Sequence, residues 1–114
     1  MALTTFFYWM LAYGSVPEKI AAVSASEDIF VQICGRVGPA LMRNYAMSAE
    51  QVAFFTVHEE IGEKVTPLDA HLLARYNTPE DRRHITRTVR LSHEFELLFY
   101  DTVMGPSPAG SNPF

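Results

Sequence analysis

Helix-start signals recur along this chain, and no stretch alternates as a strand would. Ser15-Val16-Pro17-Glu18 is a capping box with proline in the first turn, and Ser48-Ala49-Glu50-Gln51 is a second. Thr66-Pro67-Leu68-Asp69 and Thr78-Pro79-Glu80-Asp81 open two more helices. Such boxes satisfy amide hydrogens that a helix leaves without partners, so they fix where helices begin. A first apolar segment starts at Thr4 or Thr5 and ends at Gly14. The second helix is expected to run to about residue 34, with Gly35 and Gly38-Pro39 interrupting or kinking it before a continuation to about Asn44. The Thr66 helix is short and ends near Asn77. The Thr78 helix is the longest uninterrupted one, stopped by Gly105 and Pro106. These signals predict an all-α bundle of about five helices. Residues 1–104 form one domain, and 105–114 form a disordered tail rich in proline, glycine and serine.

With 114 residues, 48% of them hydrophobic, the chain can fill one small core. Its net charge of -4 opposes general nucleic-acid binding, which needs a positive field. The single cysteine, Cys34, excludes an internal disulfide and fits a reducing, cytoplasmic setting. The aromatic run Phe6–Tyr13 is too short to span a bilayer and lacks the preceding basic residue of a signal peptide. The chain therefore reads as soluble and not membrane-spanning.

Three polar residues fall on faces that should be buried. In the helix after Ser48, residues Phe54, Phe55, His58, Ile61, Gly62 and Val65 share one side, so His58 points inward. In the helix after Ser15, Glu27 shares a side with Ile20, Val23, Phe30 and Cys34. In the last helix Glu96 lies with Val89, Ser92, Phe99 and Val103. Burying an unpaired carboxylate costs several kcal/mol, so these groups should meet each other, a metal, a ligand, a water or a nearby tyrosine such as Tyr45, Tyr76 or Tyr100. A single core histidine with a satisfied hydrogen bond is the ordinary alternative.

The run Phe54-Phe55-x-x-His58, with Arg43-Asn44-Tyr45 and Ser24–Phe30 before it, resembles the heme-oxygenase-like helical proteins of the TenA/PqqC group, which includes non-heme diiron oxidases. The ending Glu96-Leu97-Leu98-Phe99-Tyr100-Asp101 is similar to the Glu-x-x-Phe-Trp-Asp pattern of the TenA branch. The likeness covers about residues 1–104 and only the later part of the family fold. In metal-binding members one helix supplies a histidine, an acid four residues on, and a histidine three further. Here those positions are His58, Gly62 and Val65, so the resemblance implies one ligand and two apolar replacements. It assigns a second metal ligand to Glu27 and a general acid or base to Glu96. The family's first glutamate and histidine have no counterpart here. Glu59 or Glu63 through a π-bulge, or Asp69 and His71, are the residues that would have to replace the lost ligands. The TenA cysteine nucleophile has no match near Ala25–Glu27, and Cys34 reads as core.

Arg83, Arg87 and Arg90 make a basic stripe on the last helix, read as a solvated face or as a dock for an acidic partner. No phosphate loop, Cys-x-x-Cys or zinc-protease motif is present. Without the early helices the bundle is expected to leave an apolar groove, covered in a homodimer or a larger protein complex. The leading expectation is a non-catalytic accessory or interaction subunit, with no cofactor. The alternatives are an iron-dependent oxidase or other pocket enzyme completed by a second chain, and a module that binds a small organic ligand.

Overall fold

The computed structural model describes residues 2–105, and these are all-α. Four helices follow one another: α1 (Ala2–Tyr13), α2 (Val16–Tyr45), α3 (Ala53–Leu73) and α4 (Pro79–Met104). The expected disordered tail, apart from Gly105, lies outside the described residues.

Two of the predicted starts form as drawn. Ser15 and Glu18 bond reciprocally at the head of α2, as do Thr78 and Asp81 at the head of α4, with prolines in both first turns. The Ser15 hydroxyl also holds the Glu18 carboxyl below its ordinary range, with His84 and Arg87 on α4 adding to the effect. The Ser48 box closes too, with Gln51 N–H on Ser48 Oγ at 3.3 Å and Ser48 N–H on Gln51 Oε1 at 2.8 Å. Its residues make a turn, however, and regular helix begins only at Ala53.

The expectation of about five helices is replaced by four because neither internal proline ends its helix. α2 runs unbroken through Gly35, Gly38 and Pro39. Its glycines serve close approach instead. A Cβ at Gly35 would lie 2.8 Å from Glu59 Oε1, and one at Gly38 would lie 3.3 Å from Phe55 Cβ. α3 likewise runs through Pro67. The Thr66 hydroxyl, expected to cap a new helix, donates to Asp28 Oδ1 on α2 at 3.0 Å.

α2 is the spine. α4 and α1 pack against it and against each other, while α3 contacts α2 alone among the described helices. Phe6 and Met10 of α1 enter the core against Ala22, with Leu91 and Phe95 beside them, and Phe6 stacks on Phe95 at 5.0 Å. Along the α2–α4 seam the buried residues are small or polar, namely Ala22, Ala25, Thr88, Ser92 and Glu96. The Ser92 hydroxyl donates to Ala22 O at 3.3 Å.

This core is thin. Three of its seven buried hydrophobic residues are alanines, while Tyr8, Trp9, Ile61, Leu68 and Leu97 are exposed. α1 carries no charged residue and is apolar nearly all round, a pattern that belongs to helices covered on every side. Among the described residues no helix is long and apolar enough to cross a membrane.

Candidate functional site

The polar chemistry of the molecule gathers where α2 meets α4. Glu96 is only 7% exposed, and the Ser26 hydroxyl of α2 donates to its Oε1. One turn further along α4, burial pushes the Tyr100 phenol up, and the neighbouring Glu96 and Cys34 add to the shift. Cys34 is itself buried. Its thiol is pushed up by burial and then by Glu59, so it holds its proton at neutral pH and is a poor nucleophile.

Ser26 also borders an open cleft of about 260 Å³ between α1 and α2, lined by Phe7, Val23, Glu27 and Phe30. The far rim of this region is α3. Phe30 meets Phe54 and His58 edge-on, with ring centres 6.0 and 5.3 Å away, and Phe54 lies 4.3 Å from His58. The three polar residues singled out by sequence are thus arrayed around Ser26 and Phe30: Glu96 behind Ser26, Glu27 in the cleft, His58 against Phe30.

They do not form a joint site. His58 Nδ1 lies 2.6 Å from the carbonyl oxygen of Phe54, one turn earlier in its own helix. A carbonyl can only accept, so Nδ1 carries the proton and the imidazole is satisfied locally. Glu27, expected on an inward face, is exposed. α2 is flanked by α4 on its Ala22–Ser26 side and by α3 on its Asp28–Val31–Gly35 side, and Glu27 falls in the gap. Glu96 alone is buried as the sequence pattern predicts.

The residues that could restore a ligand set are dispersed too. Glu59 sits beside Gly35 and Cys34, Glu63 is exposed beside Thr66 and Pro67, and His71 is exposed. Gly62 has a packing reason of its own. It is buried, and a Cβ there would fall 2.1 Å from Val31 Cγ2, so α3 can approach α2 only without a side chain at 62. Among the described residues no group of three or more histidines, cysteines or acids is placed to hold a metal ion. The donors present therefore do not fit an iron centre within one chain.

Sequence reasoning missed Ser26 as the partner of Glu96. The two lie 70 positions apart, and only the register of α2 against α4 joins them. The Glu96–Tyr100 proximity was signalled by their spacing of one helical turn. The basic stripe Arg83, Arg87 and Arg90 is exposed on α4, and Arg82 is held by Asn77 at 2.8 Å. No family model, curated protein sequence or solved structure matches the chain.

Proposed function

We propose that this chain is a non-catalytic accessory or interaction subunit, with a heme-oxygenase-like bundle of the TenA/PqqC kind whose metal face has largely been lost. The observation that carries this reading is the apolar surface left uncovered. Tyr8, Trp9 and Leu11 on α1, and Phe54, Ile61 and Leu68 on α3, are exposed, and α1 and α3 make no contact with each other among the described residues. Surfaces of this kind mark interfaces rather than free faces. Supporting it, Glu27, His58 and Glu96 each have a separate local environment, and His58 spends its Nδ1 proton within its own helix.

An iron-dependent oxidase completed by a second chain is the second reading. It is favoured by a buried carboxylate at 96 near the groove that a partner would cover. Iron analysis after anaerobic loading separates the two. Protein that stays iron-free supports the accessory role, and stoichiometric iron that disappears on His58→Ala overturns it. A small organic compound retained in native mass spectrometry, and lost on Phe30→Ala, would instead favour a ligand-binding module using the cleft beside Ser26.

A further inference from the structure

α3 carries two parallel stripes. Phe55, Glu59, Gly62 and Thr66 face α2, as their contacts with Gly38, Gly35, Val31 and Asp28 show. Beside that stripe runs another, Phe54, His58, Ile61, Val65, Leu68 and Leu72, with spacings of four and three residues in turn. That is the spacing of a coiled-coil seam, about two and a half heptads long. Its Phe54–His58 end leans on Phe30 of α2, and His58, Val65 and Leu72 are half-buried, but Phe54 is 57% exposed, Ile61 50% and Leu68 56%, and α3 touches neither α1 nor α4 among the described residues.

The seam is also palindromic. α3 spans Ala53–Leu73, and its middle residue is Glu63. Phe54 and Leu72 lie equally far from that centre, as do His58 and Leu68, and Ile61 and Val65. An antiparallel copy of the helix in full register sets each of these residues against its mate. We propose that α3 pairs antiparallel with α3 of a second copy of this chain, through Phe54–Leu72, His58–Leu68 and Ile61–Val65 contacts made twice about a two-fold axis at Glu63.

Two arguments favour a second copy over another occupant. The surface is available: Phe54, Ile61 and Leu68 each leave half or more of their area open on one side of α3. The charges allow it as well. No seam residue is an acid, lysine or arginine, so self-contact brings no like charges into the core although the chain carries -4. Lys64, beside the axis, has Glu60 one turn before it to offset its charge. A bilayer is a poor occupant, because the exposed rim of α3 sets Glu60 and Glu63 against the single Lys64 and so presents no basic face. The pairing rests on the accessory-subunit reading and names its partner.

Sedimentation equilibrium of the full chain should give twice the 12.8 kDa of one chain, and Ile61→Glu should return the mass to that of a monomer with helical circular dichroism unchanged. In a Cys34→Ala background that retains the dimer mass, Lys64→Cys should join two chains through a short thiol cross-linker. Phe54→Cys should not, since its two copies would lie about 27 Å apart along the antiparallel helices. A monomeric wild-type chain, a dimer that survives Ile61→Glu but dissociates on Trp9→Arg, or efficient Phe54→Cys cross-linking each overturns the pairing. None of these touches the accessory reading, which fails on stoichiometric iron instead.

Discussion

Glu96 can stay buried because the Ser26 hydroxyl donates a hydrogen bond to it. A buried acceptor deprived of its donor loses about 1–3 kcal/mol, more than the bond itself contributes. Ser26→Ala should therefore lower unfolding free energy in urea by about that amount, and Ser26→Ala with Glu96→Leu should recover part of the loss. If the single substitution is neutral, the seam does not depend on this bond. Tyr100 and Cys34, next along the seam, govern the alkaline side. Burial pushes both groups up, so the folded chain holds these protons more tightly than the unfolded chain does. Their stability contribution is complete below the unfolded values, about 8.5 for cysteine and about 10 for tyrosine, and is lost as pH climbs through the folded ones. Denaturant midpoints measured against pH should fall above about pH 9, with Cys34→Ala removing the earlier part of that fall and Tyr100→Phe the later. His58 shows what periodicity conveys and what it omits. The sequence places it beside Phe54 on an apolar side of α3, but that side is not the buried face expected, since Phe54 and Ile61 are half or more exposed, and the carbonyl that satisfies His58 is a matter of rotamer.

At the scale of elements, the heads of α2 and α4 were legible because a capping box is closed by residues three apart and needs nothing from the rest of the fold. The continuity of α2 and α3 was not legible. Whether a proline ends a helix or merely bends it depends on packing from other elements, and Gly35 and Gly38 exist for Glu59 and Phe55 of another helix. The inward face of α2 was misjudged for a related reason. A spine helix is covered from two directions, so an averaged face points into the gap between them, where Glu27 and Val23 lie exposed. Gly62 gives the sharpest test of this packing. In an exposed helix Gly→Ala gains about 1 kcal/mol, but overpacking at a backbone-close contact costs about 1–3 kcal/mol. Because the added Cβ would meet Val31 on both methyls and on its Cβ, the overpacking term wins. Gly62→Ala should destabilise, and Gly62→Ala with Val31→Ala should relieve the clash. Pro39 has the opposite sign. It is exposed in mid-helix, where proline removes a hydrogen bond and clashes with the preceding turn, so Pro39→Ala should raise the thermal midpoint.

For the whole molecule, stability should be graded from the seam outward. The α2–α4 contact and the Phe6–Met10 insertion hold most of the buried side chains, while α3, although it lies along α2 over a long contact, has Gly62 as its one buried residue. Helices with few buried contacts open locally at free energies well below that of global unfolding. Amides of α3 should therefore exchange with solvent faster than those of α2 and α4 when the protein is dilute. Mass action predicts how concentration changes this: whatever binds the folded state in proportion to its own concentration adds stability by RT ln(1 + [L]/Kd), and a second copy of the chain is such a ligand. Raising the protein concentration should slow exchange in α3 selectively, first around Ile61 and Val65 at the centre of its open seam, and should raise the thermal midpoint. Exchange in α3 that is independent of concentration, with an unchanging midpoint, would mean that α3 does not pair with a second copy. Uniform exchange across all four helices would show instead that α3 is held as firmly as the seam, and that the bundle unfolds as one unit.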